Sequence, residues 1–259
     1  MYSDAAARIA ALRRVSGAEI VDEGIQLARQ NYGVLILAGL VPLLPNLGTN
    51  IWTASHGNPD GPWSMLLYTA AWAFWASLTD AATARAAMDV LEGRSPDPAR
   101  ALGVALRRAW PVAVSGLYRM IFWLAGLVLV LVPGFYVLSV YALIPVLPVL
   151  EPDIGGWQAL RRSAMLTKGA RRLSFGTYVL PYAFAVGASI VMSALMEGVV
   201  GPHFGRLFGG LLGSVVDLAF TPFMAAIQVR LYVELRMRKE AIDIEWALAS
   251  PSPGTAAFS

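Results

Sequence analysis

Long apolar stretches alternate with short polar ones along this chain, and their lengths set the first expectation. A hydrocarbon core about 30 Å thick takes roughly 17 to 25 predominantly apolar helical residues to cross. Six stretches qualify: 32–52, 63–83, 111–132, 135–150, 175–196 and 208–229. The fourth is short and holds Pro145 and Pro148, so it is expected to tilt, kink or turn irregular near its end.

The polar stretches carry a second pattern. Ser16 and Glu19 fit a capping box, and Ile20, Val21, Gly24, Ile25 and Ala28 share one helical face opposite Glu19, Asp22, Glu23, Gln26 and Arg29. Asp97 and Pro98 suit the cap and first turn of a helix through ARALGVALRRAW. A third amphipathic helix is expected over 157–168, stopped by Gly169. The fold class predicted is all-α: a polytopic membrane protein with six transmembrane helices in three hairpins, each preceded by a cytoplasmic interfacial amphipathic helix. The organisation expected is a cytoplasmic segment at 1–31, a six-helix membrane domain at 32–229, a cytoplasmic amphipathic helix at 230–248 and a disordered tail at 249–259. Ile242, Ile244, Trp246 and Leu248 would give that last helix its apolar face.

Composition agrees with a membrane setting. Hydrophobic residues make up 57% and charged residues 14% of 259, against about 45 to 50% and about 25% in a soluble domain. Mean hydropathy is +0.58. No uninterrupted apolar core precedes Arg13 and Arg14, so no cleaved leader is expected. The absence of cysteine excludes disulfides, iron–sulfur clusters, thiolate zinc sites and cysteine nucleophiles.

Charge adds sidedness. A pI near 9.3 points to nucleic acid or anionic lipid until the basic residues are placed. Of the 20 Lys and Arg residues, all but Arg119 and Arg206 fall in the N-terminal segment, the second and fourth connections and the C-terminal segment. Cytoplasmic loops retain positive charge, so both termini are expected in the cytoplasm, with anionic lipid rather than nucleic acid as the partner. Arg107, Arg108, Arg161, Arg162, Lys168, Arg171 and Arg172 would form a basic collar binding lipid headgroups or an acidic protein partner. Trp63, Trp110, Tyr118, Trp157 and Tyr232 fit interface anchors.

Several segments together resemble a known family. They are VPGFY at 132–136, Pro145 and Glu151, ALRRSAMLTKG at 159–169, and LYVELRMRKE at 231–240 followed by Asp243. In these the chain resembles the six-span membrane domain attached to some bacterial glycerophosphodiester phosphodiesterases, and its stand-alone relatives, while departing from the usual pattern at Ala164, Val233 and Ala241. The resemblance covers nearly the whole chain. It implies a six-span architecture and a bacterial cytoplasmic (inner) membrane. It does not imply the phosphodiesterase reaction, whose soluble domain is not in this sequence.

Polar residues within the spans are the remaining candidates. Arg119 lies about eight residues into the third span, roughly 12 Å deep, where an unpaired arginine costs at least about 2.5 kcal/mol. It is expected to pair with Asp217 or Asp80. Asp217 continues a four-residue stripe of Gly205, Gly209 and Gly213, which suggests a close helix contact within the bundle or across a dimer. Glu197 ends a second stripe through Ala185, Ser189 and Ser193 and approaches His203, while His56 and Asp60 lie on the first outer loop. Two histidines and two carboxylates on one side are elements of a metal site or a general base, although Gly57, Asn58 and Pro59 break any helical spacing between them. Solvated loop residues are the alternative, and no metal or cofactor is assigned.

The motifs HExxH, GxSxG, GxxxxGK with Ser or Thr, and GxGxxG are all missing, so the matching enzyme classes lack support. The leading expectation is a non-enzymatic integral membrane protein acting as an accessory or scaffold subunit, or organising lipid around a protein partner in a membrane complex. The second is a transporter or channel for a small solute or lipid, suggested by Pro42, Pro45, Pro145, Pro148, Pro181, Pro222 and the buried charges. The third is an enzyme acting on lipid headgroups.

Overall fold

The computed structural model describes residues 15–56, 61–128 and 131–240. Helices occur in the order α1 (Gly17–Gln30), α2 (Tyr32–His56), α3 (Pro62–Leu91), α4 (Pro98–Arg107), α5 (Ala109–Val128), α6 (Leu131–Val140), α7 (Leu147–Leu150), α8 (Gly156–Thr167), α9 (Arg171–Ser174), a π-helical turn at Phe175–Val179, α10 (Leu180–Val200) and α11 (Pro202–Glu240). No strand is found among the described residues. The fold is all-α, and three stretches are long and apolar enough to cross a membrane: Tyr32–Thr53, Arg171–Met196 and Leu211–Glu240.

The short helices start where the sequence signals them. Ser16 Oγ accepts from Glu19 N at 3.3 Å while Ser16 N donates to Glu19 Oε2 at 2.7 Å, the reciprocal capping box. Asp97 Oδ1 accepts from Ala99 N at 2.9 Å, with Pro98 in the first turn. At the far end of α8, Gly169 takes φ +82, a left-handed conformation that costs any residue with a Cβ and turns the chain into α9. The amphipathic faces point inward. Ile20 and Ala28 of α1, Ala101 and Ala105 of α4, and Ala159 and Leu166 of α8 are all buried.

Small residues make up most of the α3 part of the core, alongside buried large ones such as Leu35, Leu143 and Tyr232, while other large apolar side chains face outward. On α3, Ala81, Ala82, Ala84, Ala86 and Ala87 have no exposed surface, while Leu66 and Leu67 of the same helix point outward. Leu37, Val41 and Leu44 on α2 and Leu180, Phe184, Ile190 and Leu195 on α10 are likewise exposed. Bulky apolar side chains outside and alanine inside suit helices that associate by close backbone approach within lipid. Glycine makes two of these crossings possible. A Cβ on Gly24 of α1 would stand 2.9 Å from Ile227 Cα on α11, and one on Gly116 of α5 would stand 2.3 Å from Ser77 Oγ and 3.0 Å from the Ala73 carbonyl oxygen on α3. Of the expected Gly205, Gly209 and Gly213 stripe, a Cβ built on Gly213 would meet nothing within 4 Å in the single chain, and the surroundings of Gly205 and Gly209 lie outside the described residues.

The fourth apolar stretch is not one continuous helix. Its helix ends at Val140, turns occupy 141–146, and a single helical turn follows at Leu147–Leu150. Pro145 and Pro148 supply no N–H and disfavour helix in the residues before them. The carbonyls released at the break are taken up by neighbours. Ser163 Oγ and Thr167 Oγ1 donate to Val140 O at 2.9 and 3.1 Å, and Gln228 Nε2 donates to Ala142 O at 2.6 Å. A proline also explains the π-helical turn. Pro181, the second residue of α10, cannot donate to the carbonyl four residues earlier, which lies within the widened turn.

The C-terminal amphipathic helix expected at 230–248 is, as far as residue 240, the continuation of α11, which at 39 residues runs about 58 Å without interruption. The face expected from Ile242, Ile244, Trp246 and Leu248 and the tail at 249–259 lie outside the described residues, as do residues 1–14 of the N-terminal segment.

Gly116→Ala is expected to lower stability by about 1–3 kcal/mol through overpacking against α3, seen as a lower unfolding midpoint of the purified protein. Gly187→Ala, with nothing within 4 Å, is the control and should leave the midpoint unchanged or raise it.

Candidate functional site

Five long helices (α2, α3, α5, α10 and α11), the broken segment and the π-helical turn surround a cavity of about 430 Å³. Its ionisable walls are Asp80 on α3, Arg119 on α5 and Asp217 on α11, joined by Tyr178 and Tyr182, which flank Pro181. Arg119 donates through Nη1 to Asp80 Oδ2. Of the two partners expected for Arg119, the structure selects Asp80. The reason is adjacency: α5 crosses α3 at Gly116 and Ser77, one turn from each member of the pair.

Asp217 faces the same cavity without a cationic partner among the described residues, and its backbone carbonyl accepts from Thr221 Oγ1 at 2.7 Å. Tyr178 and Tyr182 stack with centroids 5.8 Å apart and an interplanar angle of 17°. Trp72 and Phe220 complete the aromatic part of the lining. Two buried lining atoms, Asn46 Oδ1 and Ser189 Oγ, have no hydrogen-bond partner. Phe220 also borders a shallower groove formed with Arg29, Tyr32, Ala219 and Phe223.

A second set of charges lies where α7, α8 and the end of α11 meet. Arg162 donates through Nε to Glu151 Oε1 and Oε2 at 3.0 and 2.9 Å, and through Nη2 to Glu240 Oε2 at 3.0 Å. Tyr232 OH donates to Glu151 Oε1 at 2.9 Å and accepts from Arg236 Nη1 at 3.2 Å, while Arg236 Nε donates to Glu240 Oε2 at 2.8 Å. Burial works against the charge on Arg162, but the bonds to Glu240 and Glu151 outweigh it and raise its pKa above the ordinary arginine range. Three of the segments that carry the family resemblance therefore meet at one latch. Arg162 is turned inward, not toward lipid as the collar requires. Tyr232, with 1% of its surface exposed, is no interface anchor, because its hydroxyl is committed to Glu151.

Of the other collar residues, Arg161 lies over the Trp157 ring at 5.6 Å and Arg171 over the Tyr136 ring at 4.7 Å. Arg107, Lys168 and Arg172 are exposed and Arg108 is partly so. None of these four, nor Arg161 or Arg171, meets a carboxylate among the described residues. Further basic residues are neutralised internally. Asp89, fully buried, pairs with Arg85 at 2.6 Å and Arg100 at 2.7 Å, and Arg230 donates to Glu23.

His56 ends α2, exposed and stacked on Trp52 at 5.4 Å. Asp60 and the side chains of Glu197 and His203 lie outside the described residues, and no group of three or more metal-ligating side chains occurs among those described. Sequence reasoning found Asp80, Arg119 and Asp217 but missed Asn46, Tyr178, Tyr182 and Gln228. The available signal was the i, i+4 spacing of the two tyrosines around Pro181 and the amides Asn46 and Gln228 within otherwise apolar runs. Comparison with known protein families, curated proteins and solved structures found no match to the chain.

Arg119→Gln is expected to destabilise the protein by about 3–5 kcal/mol by leaving Asp80 unpaired in an apolar setting, with Arg119→Gln/Asp80→Asn recovering most of the loss. Unfolding of the four proteins of this cycle in one detergent checks it. Equal additive losses would mean the two side chains are not coupled.

Proposed function

We propose that this chain is a six-span protein of the bacterial inner membrane, with both termini cytoplasmic, that binds a small amphipathic solute or lipid in its central cavity and moves it through or along the bilayer. The span count is supported by helix length: α3 and α5 are about 45 and 30 Å long, and the broken fourth segment takes the place of a short span. The orientation is supported by the distribution of Lys and Arg. Element order repeats a short amphipathic helix followed by two longer segments, which supports three hairpins.

The observation that carries the functional reading is the cavity itself. It brings together Asp80, Arg119 and Asp217 from stretches that are otherwise apolar, its volume falls within the roughly 300–1,000 Å³ of small-molecule sites, and irregular backbone borders it, as membrane proteins tolerate around a cavity. The accessory-subunit reading, which rests on the missing catalytic motifs and on amphipathic helices suited to docking, is the alternative; part of each helix's apolar face is buried, while Leu106, Trp157 and Met165 stay exposed. One observation favours a lipid-organising role beside transport. Leu106, Trp110, Trp157 and Met165 are exposed next to Arg107 and Arg161, a combination suited to an anionic headgroup layer.

The test is native mass spectrometry on protein extracted gently from its own membrane, comparing wild type with Ala185→Trp, which places an indole in the cavity. A small molecule or lipid retained by wild type and lost from a folded Ala185→Trp supports the reading. Retention unaffected by the tryptophan, or stoichiometric co-migration with a protein complex and no retained molecule, overturns it.

A further inference from the structure

Resting on that reading of the cavity, we infer that its ligand is a small organic cation: a protonated amine with an apolar or aromatic body, for which Asp217 is the counter-ion. The lining carries two carboxylates and one guanidinium. Arg119 is engaged with Asp80, which leaves the Asp217 carboxylate uncompensated. Asp80, the other carboxylate of the lining, carries the same charge as Asp217 and repels it. A lone carboxylate within a helix long and apolar enough to cross a membrane is costly unless something positive meets it. A cation in the cavity supplies that charge.

The rest of the wall fits the same ligand. Trp72, Tyr178, Tyr182 and Phe220 offer ring faces to a cation and to an aromatic body. Asn46 is 8% exposed, and its Oδ1 is an acceptor with no donor, as is Ser189 Oγ; ammonium N–H groups are donors without acceptor capacity. An anionic ligand such as a phosphate headgroup would meet two carboxylates with the one guanidinium already taken. A metal ion would lack ligands, since the described residues hold no cluster of three.

The experiment uses the full chain in lipid nanodiscs and three probes of nearly equal shape, measured by calorimetry: 2-phenylethylammonium, neutral 2-phenylethanol and anionic 3-phenylpropanoate. The cation should bind roughly tenfold or more tightly than either of the others, Asp217→Asn should abolish that preference, and Asp217→Glu should keep it. The probe series on wild type decides the matter even if Asp217→Asn does not fold. Equal or tighter binding of the alcohol or the carboxylate overturns the cation assignment, and if that binding is lost in Ala185→Trp the cavity reading stands without it. Absence of binding together with a protonated-carboxyl infrared band that disappears in Asp217→Asn overturns it too, because a proton then balances the charge. If no probe binds and Ala185→Trp changes nothing that wild type retains, both ideas fall.

Discussion

An apolar environment cannot hydrogen-bond the protein backbone, so any interruption of a helix there has to be covered from within the molecule. The break at 141–146 is where this fold meets that constraint, and much of its arrangement follows. Ser163 and Thr167 on α8 and Gln228 on α11 are held where they can reach the carbonyls of Val140 and Ala142, which fixes both helices against the broken segment. On the other side of the break, Leu138 and Tyr141 give way to the cavity. Just beyond it the chain delivers Glu151 to Arg162 and Tyr232. Two prolines thus set the position of the open space and of the charged latch next to it.

Electrostatics follows the same logic of local completion. Of the seven basic residues that suggest a headgroup collar, Arg162 is satisfied inside the bundle by Glu151 and Glu240, and outside that set Arg85 and Arg100 are paired with Asp89 and Arg230 with Glu23. Buried pairs of this kind add less to net stability than to the uniqueness of the packing. They leave a smaller set, with Arg107, Arg161 and Arg172 among them, turned outward. Among the carboxylates that line the cavity, Asp217 has no cationic partner among the described residues while Asp80 has Arg119.

Much of the architecture was legible because it depends on local pattern. Apolar run length predicted the long helices, Ser16, Asp97 and Gly169 predicted the ends of the short ones, and Pro145 and Pro148 predicted trouble in the fourth segment. Arg119 declared its need for a partner, but the choice between Asp80 and Asp217 depends on which helices cross at Gly116, and nothing in one sequence fixes such a register. The cavity was invisible for the same reason, since its lining is assembled a few residues at a time from separate helices. One reading failed on chemistry that looks alike in sequence: a tyrosine near a span end suits both an interface anchor and a buried donor, as Tyr232 proves to be. Glycine at four-residue spacing suits a helix contact, yet close approaches within the chain occur at isolated glycines, Gly24, Gly39, Gly116 and Gly156.

The length of α11 has a mechanical consequence. Asp217 and Glu240 stand on one helix, separated by about 35 Å, with Pro222 between them. A helix of that length magnifies rotation: a tilt of about five degrees pivoting near Asp217 carries its far end sideways by roughly 3 Å, a distance comparable to the hydrogen bonds that join Glu240 to Arg162 and Arg236. The cavity wall and the latch are therefore two demands on one helix.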